Sequence, residues 1–351
     1  MKKILLSILA VILIIILSVA YILFAPATKF SNNQHYLYVR DTGSAQEQIM
    51  HELDTGNIIR STVVFNLIAK QAKAWQHVTP GRFEIKKGES IFSLMRTLRN
   101  NHQSAVRLVI NKLRLREDLA KAIGKNFSTD SVTALNFLSN NDSLSQLSVD
   151  TNTLMTLIIP DTYFLNWNIS TKKILMRLKD NEENFWNKNN RLQKAAALNL
   201  TQNQVYTLAS IVEEETNKND EKGNIASVYI NRLNADMKLS ADPTIKYALK
   251  NFSLKRIYTG YLNVQSPYNT YMFKGLPPGP ICTPSAVTID AVLNAPQTNY
   301  LFFVARSDFS GYHQFTSNFA DHEKYAKLYQ QTLDSLITKK QQDSLSKTIQ
   351  P

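Results

Sequence analysis

A long uncharged stretch near the N-terminus is the strongest constraint on how this chain can fold. Lys2 and Lys3 precede 21 residues, Ile4 to Phe24, that carry no charge. Such a stretch is long enough to span a bilayer and exceeds the apolar region of a typical cleaved signal. Positively charged flanks stay in the cytoplasm, so we expect a cytoplasmic N-terminus and an exported body beyond about residue 28.

The sequence after this stretch leaves two outcomes open. Ala25-Pro26-Ala27 has the small-x-small pattern of a signal cleavage site, so cleavage is one possibility. The length of the apolar stretch favours the other, an uncleaved anchor. No second stretch in the sequence approaches this length and apolarity. We therefore predict one tethered, single-pass membrane protein.

The net charge of +12, from 40 Lys and Arg against 28 Asp and Glu, favours polyanionic partners. The lysines are spread along the chain, and zinc-finger spacings, Gly-rich phosphate loops and dense Arg clusters are missing from the sequence. We therefore expect no nucleic-acid partner.

Cys282 is the single cysteine, which excludes an internal disulfide and predicts a small buried side chain. No metal site and no cofactor are predicted.

The predicted elements divide the chain into an anchor, a small module, a larger domain and a tail, an α+β fold. The boundaries are 1–27 for the anchor, 28–102 for the module, 103–337 for the larger mixed α/β domain and 338–351 for a polar tail. In the module the order is strand, helix, turn, strand, turn and helix. Strands are predicted at Tyr36–Val39 and Arg82–Ile85, and helices at 45–54, 57–75 and 90–98. The tail is predicted to be disordered.

Several elements of the larger domain have clear signals. One helix is predicted over 168–198, and Asp242 followed by Pro243 is typical of an N-cap and a first helical position. A hairpin is predicted from Tyr300–Arg306 and Tyr312–Thr316, with His313 in a structural position. Between them, residues 266–284 hold five prolines together with three aromatic side chains. Long aromatic loops of this kind are usually functional.

The stretch from Thr201 to Thr216, TQNQVYTLASIVEEET, predicts one helix that begins with a capping box formed by Thr201 and Gln204. At about 100° per residue, its aliphatic side chains fall within one core-facing arc. Glu215 lies near the middle of that arc, whereas Glu213 and Glu214 are predicted to point towards solvent. A carboxyl held against apolar surface has a raised pKa and can act as a general acid near neutral pH.

A series of motifs in one order resembles the endolytic murein transglycosylase family, the YceG-like or MltG proteins. They are ASIVEEET, ASVYINRL, LSADPTIKYAL, SPYNTY, GLPPGPI and YLFFVA followed by HQF. The resemblance extends from about Tyr36 to the last predicted helix and is densest from Ala209 to Phe315. The anchor also fits this family, and the small module resembles its LysM-type glycan-binding fold.

The resemblance implies an activity and a site. Family members cleave β-1,4 bonds between MurNAc and GlcNAc inside nascent peptidoglycan strands without water and leave 1,6-anhydro-MurNAc ends, which terminates glycan elongation. Their essential acid is the second-last residue of a Glu-x-Glu-Thr motif, which corresponds here to Glu215. Asn269, Thr270 and Tyr271 are implied to hold the substrate. Glu214 departs from the usual middle residue, and its charge is expected to raise the pKa of Glu215 further.

The implied setting is the plasma membrane of a bacterium, with the body outside the cytoplasm, near peptidoglycan and its synthases. Two alternatives stay open. A muramidase would use a second carboxylate, Asp242 or Glu213, to activate water. A tethered scaffold of the wall-synthesis machinery would bind glycan without cleaving it. One glutamate suffices for the lytic reaction because the attacking hydroxyl belongs to the substrate itself.

Overall fold

The structure is a computed structural model that describes residues 2–349, with side chains described through 338. Its helices are α1 Lys2–Phe24, α2 Ala45–Thr55, α3 Thr62–Gln71, α4 Ile91–Arg99, α5 Arg116–Asn126, α6 Ser131–Leu138, α7 Asn141–Ser145, α8 Thr171–Trp186, α9 Arg191–Ala197, α10 Gln202–Glu215, α11 Lys222–Asn234, α12 Asp242–Ala248, α13 Ala286–Leu293 and α14 Phe319–Ile349. Its strands are β1 Gln34–Val39, β2 Gly81–Lys86, β3 Val106–Val109, β4 Thr162–Leu165, β5 Phe302–Ala305 and β6 His313–Thr316. They form three two-stranded sheets, β1–β2, β3–β4 and β5–β6.

Helix α1 has the length and composition of a membrane span. Its most apolar window has a mean hydropathy of 3.1, and none of that window is buried by the rest of the chain. Within residues 2–349 it is the one helix that meets both criteria. The predicted apolar helix is therefore confirmed, and it is compatible with a single-pass anchor.

The chain divides into two compact units. The first comprises the chain up to Leu108 together with Ala122–Ser131 and Tyr163–Thr171. The second comprises Val109–Lys121, Val132–Thr162 and the chain from Lys172 onwards. The predicted boundary at residue 102 lies close to the first change of unit, but two later segments return to the first unit, which the sequence pattern does not indicate.

The first unit contains the order strand–helix–helix–strand, with β1 antiparallel to β2 and Tyr36 opposite Glu84. Alternate residues of both strands point into a core built from residues 27–98. The helix predicted over 57–75 is shorter, because Asn57 has a positive φ of 46° and Ser61 caps α3 from outside. The two strands and the helix after Ser90 are confirmed.

The second unit is arranged around α10, which packs against α9, α11, α12 and α13. Its capping box is confirmed: Gln204 N donates to Thr201 Oγ1 at 3.3 Å, and Thr201 N donates to Gln204 Oε1 at 2.8 Å. The predicted helix over 168–198 is two helices, since Asn189 and Asn190 both take positive φ between α8 and α9. Cys282 is buried as predicted.

The later elements bring one confirmation and three corrections. The hairpin is confirmed, with Val304 opposite Gln314 in the antiparallel pair β5–β6. The sequence from Pro160 to Phe164 predicts a turn followed by aromatic residues, but this stretch contains strand β4. Asp242 is not the N-cap: Ala241 holds that position, and Asp242 is the first residue of α12. Helix α14 continues past Ile337 through most of the tail, and residues 350–351 lie outside the described residues.

Candidate active site

Helix α10 carries Glu215 at its C-terminal end. The predicted apolar stripe is confirmed, since Val205, Leu208, Ile211 and Val212 are all fully buried. Glu215 continues this face of the helix and keeps only part of its surface accessible. The helix therefore places one carboxyl at the margin between the core and solvent.

The carboxyl of Glu215 has one hydrogen-bond partner among the described residues. Tyr229, on α11, donates its hydroxyl to Glu215 Oε1 at 2.5 Å. Tyr229 is itself 1% exposed, and its ring packs edge-on against Phe303 at 5.8 Å. Oε1 is thus held by the protein, which leaves Oε2 for exchange with a ligand.

Burial raises the pKa of Glu215 to about 7. The hydrogen bond from Tyr229 acts in the opposite direction because it stabilises the carboxylate, and Lys246 and Arg232 also lower the pKa. The like charge of Asp242 raises it. Near neutral pH this carboxyl therefore exists in both protonation states. A group that first donates and then accepts a proton needs this property.

A second carboxyl, that of Asp242, faces the same site from the start of α12 and is exposed. Tyr271 donates its hydroxyl to Asp242 Oδ1 at 2.5 Å. Burial, together with this hydrogen bond, raises the pKa of Tyr271 far above its usual value, so the phenol stays protonated. The charge of Glu215 also raises the pKa of Tyr271, which places both side chains in one electrostatic environment.

Arg232 lies one turn after Tyr229 on α11 and supplies a fixed positive charge to the site. Its Nε donates to Leu301 O at 2.7 Å and its Nη1 to Leu239 O at 2.5 Å. Burial lowers the pKa of Arg232, but a guanidinium remains charged at any physiological pH. Because carbonyl oxygens hold it rather than a carboxylate, its charge remains available to the site.

The prediction that Glu213 and Glu214 point to solvent is wrong. Their side chains are 12% and 15% exposed and form ion pairs on the flanks of α10. Glu213 accepts from Lys222 Nζ at 3.1 Å, and Glu214 accepts from both Nε and Nη2 of Arg114, at 3.2 and 2.9 Å. Burial alone would raise the pKa of each carboxyl. Hydrogen bonds from Thr288 and Lys222 instead bring the pKa of Glu213 below its usual value. Those from Arg114 do the same for Glu214.

The expected influence of Glu214 on Glu215 is likewise not found. Glu214 is neutralised by Arg114 and by Lys112, whose Nζ lies 3.2 Å from Glu214 Oε1. The carboxylate that raises the pKa of Glu215 is Asp242.

The three residues expected to hold substrate differ in accessibility. Asn269 is fully buried, and its Nδ2 donates to Leu262 O and Val264 O at 2.8 and 2.9 Å. Thr270 is 2% exposed, and its Oγ1 accepts from Ala241 N at 3.0 Å. Both side chains therefore secure the loop to its surroundings, and only Tyr271 directs a functional group into the site.

Sequence reasoning missed Tyr229 and Arg232 as members of the site. Both lie in the motif ASVYINRL, whose apolar spacing predicts that Tyr229 lies on the inner face of its helix and indicates no further role for it. A phenol on a face that is otherwise aliphatic was the available signal, since a buried hydroxyl requires a partner. His313, on β6, contacts the Glu221 carboxylate through its backbone N and ring Nδ1, at 2.6 and 3.2 Å.

The described residues combine an α+β fold and an N-terminal apolar helix with a carboxyl of raised pKa, that of Glu215, beside two phenols. A sequence model of the YceG-like family matches residues 38–328, and the chain belongs to the YceG-like family. In a crystal structure of a YceG-like protein from Listeria monocytogenes the same fold recurs with a TM-score of 0.55 and 24% identity, over 84% of this chain and 99% of that one.

Two relatives share local sequence similarity with this chain. An endolytic murein transglycosylase of Bacillus subtilis (strain 168) is 39% identical over 123 residues, 35% of this chain and 33% of that protein. An endolytic murein transglycosylase of Streptococcus pneumoniae serotype 2 is 38% identical over 130 residues, 36% of this chain and 23% of that protein. The matched segment thus spans a third or less of each relative.

The opposite pKa shifts of neighbouring glutamates predict opposite effects of one isosteric change. Glu215 is destabilising when ionised, because its folded pKa of about 7 exceeds the ordinary 4.5. This cost grows as pH rises through 4.5 and is complete above 7, so Glu215→Gln should stabilise the protein at pH 8 by roughly 3 kcal/mol and have almost no effect at pH 4.5.

Glu214→Gln is the matched control. The pKa of Glu214 is lower in the folded protein than in the unfolded chain, so its ionised form stabilises the fold. This stability is fully present above the ordinary pKa and is lost as pH falls through the folded pKa. This variant should therefore lose about 1–3 kcal/mol at pH 8. Thermal unfolding of full-length protein in detergent, followed from pH 4.5 to 8, measures both effects. A Glu215→Gln protein less stable than wild type at pH 8 would contradict the assigned pKa.

Proposed function

We propose that this protein is an endolytic peptidoglycan lytic transglycosylase, a lyase that cleaves MurNAc–GlcNAc β-1,4 bonds within nascent strands. The observation that carries the proposal is the Glu215 carboxyl, partly accessible, with a pKa near 7 and one oxygen held by Tyr229. The names of the relatives support the same reaction class. By cutting strands as they grow, the enzyme would terminate glycan elongation.

In the proposed reaction Glu215 acts twice. Protonated Glu215 donates its proton to the glycosidic oxygen while the C1–O bond breaks, and positive charge develops at C1 of MurNAc. The resulting carboxylate then accepts the proton of the C6 hydroxyl as that oxygen bonds to C1. Because donor and acceptor are the same group, the enzyme returns to its initial protonation state and no water is consumed. An internal nucleophile has a high effective concentration, so a second catalytic carboxyl is unnecessary.

The surrounding groups are assigned supporting roles. Tyr229 fixes the orientation of Glu215 and stabilises its ionised form between the two steps. Asp242 favours the protonated form before the first step and offers negative charge near developing positive charge. Tyr271 contacts the sugar, whereas Asn269 and Thr270 position Tyr271 from within the loop.

The exposed carboxylate of Asp242 favours one alternative, a muramidase. In that reaction Asp242 would activate water for attack on C1, and the products would carry reducing ends. Tyr271 already donates a hydrogen bond to Asp242 Oδ1, so this oxygen is not free to accept a proton from water, which favours the lytic reaction.

A change at Glu215 tests the proposal. Glu215→Gln keeps the shape of the side chain but cannot donate the proton, so release of anhydro-muropeptides from purified sacculi should fall by at least about a hundredfold. Glu183→Gln, at a carboxyl that is 58% exposed on α8, is the control and should retain wild-type activity. Mass spectrometry separates the readings, since reducing ends exceed anhydro ends by one water. Reducing ends in place of anhydro ends would establish the muramidase, and binding without any release would establish a scaffold.

Helix α1 is proposed to anchor the protein in the plasma membrane, uncleaved, with the N-terminus in the cytoplasm and the body outside, near peptidoglycan synthases. Ala27 supports retention: it is buried in the core of the first unit, its N donates to Glu89 O at 2.9 Å, and its O accepts from Arg60 N at 2.8 Å. Cleavage after Ala27 would remove these bonds.

The anchor predicts that the protein stays in the membrane fraction after alkaline carbonate extraction and has an intact mass of 39.9 kDa. A soluble product lacking about three kilodaltons from the N-terminus would contradict it. Protease added to spheroplasts should digest the body, whereas a tag placed before Lys2 should remain protected.

The module over residues 28–102 is proposed to bind glycan as LysM-like modules do. Its strand–helix–helix–strand order and antiparallel sheet support this proposal, and its apolar core lies within residues 27–98. Residues 27–102, which include the buried Ala27, should therefore cosediment with sacculi when they are fused to a soluble carrier protein. The carrier protein alone is the control and should stay in the supernatant. A folded fusion that also stays in the supernatant would contradict the proposal.

A further inference from the structure

A cavity of about 280 Å³ lies in the second unit at the end of α12 opposite to Asp242. Tyr247 and Ala248 contribute from the last turn of α12, and Tyr268 contributes from residues 266–284, the Pro-rich loop. The start of that helix and Tyr271 of the same loop belong to the Glu215 site. The five residues from Asp242 to Tyr247 advance roughly 8 Å along the helix, so one extended ligand can reach both places.

The walls of this cavity are held in place by close backbone contact and ring packing. A Cβ at position 279 would lie 2.1 Å from Asn152 O and would clash with it. Because Gly279 has no Cβ, the Pro-rich loop can lie against that backbone. The rings of Tyr247 and Tyr268 lie 4.6 Å apart. The cavity is therefore part of the folded loop arrangement and not a surface irregularity.

Three charged side chains line this cavity, and their pairing leaves one of them free. Lys250 Nζ donates to Glu117 Oε1 at 3.2 Å, so these two charges neutralise each other. Arg116 has no ion pair and no side-chain hydrogen bond with any residue that the structure describes. An unpaired guanidinium at the wall of a cavity favours a carboxylate, which it can bind through two parallel N–H donors.

We infer that this cavity is a subsite for the stem peptide of the glycan strand, with Arg116 binding a peptide carboxylate. This inference rests on the proposed function and adds a preference for peptide-bearing strands. In such strands the lactyl carboxyl is amide-linked to the peptide, so the free carboxylates belong to the peptide itself. The ring of Tyr268 and the amide of Asn152 supply apolar and polar contact for the peptide backbone.

The test measures binding by protein that does not turn over. Calorimetry compares Glu215→Gln with Glu215→Gln/Arg116→Ala, using a GlcNAc–MurNAc disaccharide with its stem peptide and the same disaccharide without it. The second variant should bind the peptide-bearing ligand about tenfold more weakly and the peptide-free ligand equally. Glu215→Gln/Arg256→Ala, which removes an exposed arginine that does not line the cavity, is the control and should match the parent with both ligands.

Each other outcome overturns the subsite. Equal affinity of both variants for the peptide-bearing ligand would exclude a role of Arg116. Weaker binding confined to the peptide-free ligand would assign Arg116 to the lactyl carboxylate instead. Circular dichroism checks that each variant is folded. The binding measurement needs no cleavage, so it tests the subsite separately from the proposed function. A wild-type protein that releases nothing from sacculi would overturn the proposed function, and the dissociation constants would still decide the subsite.

Discussion

The site depends on keeping one carboxyl mostly out of water at the end of α10. Burial raises the pKa of Glu215 to about 7, and the Tyr229 hydroxyl limits that rise by stabilising the carboxylate. Without burial the group would be ionised at neutral pH and could not donate a proton. Without the Tyr229 phenol, no hydrogen bond from a described residue would fix the orientation of the Glu215 carboxyl. The packing of α10 against α11 and α12 supplies both conditions at once, because it buries this end of α10 and brings Tyr229, on α11, within hydrogen-bonding distance of Glu215.

Three consecutive glutamates end in three different electrostatic environments. Glu213 and Glu214 meet Lys222, Lys112 and Arg114, which neutralise their charges and fix the flanks of α10. Glu215 meets a phenol and another carboxylate. The cations that pair with its two neighbours are therefore different from Lys246 and Arg232, which lower the pKa of Glu215. This separation follows from the helix itself, which turns successive side chains by about 100° towards different partners.

The Pro-rich loop and α12 together connect the Glu215 site with the cavity beside Arg116. Asn269 and Thr270 attach the loop to neighbouring backbone, Tyr271 faces Asp242, and Tyr268 faces the cavity. A loop with this many prolines loses less conformational entropy on folding than a flexible one. The two buried polar residues can then set the positions of two tyrosines, one beside Asp242 and one at the cavity.

Local sequence determined a large part of this protein, and tertiary packing decided the rest. The apolar helix α1, the capping box of α10, the β5–β6 hairpin and the orientation of Glu215 follow from patterns within a few residues. The partners of the three glutamates, by contrast, lie up to about a hundred positions away in the chain, as Arg114 does from Glu214. Helical periodicity gives the direction of a side chain but not what it meets, so Glu213 and Glu214 were assigned to solvent and Tyr229 to the core alone. Charge pairing and burial depend on which helices pack together, and only the folded chain fixes that.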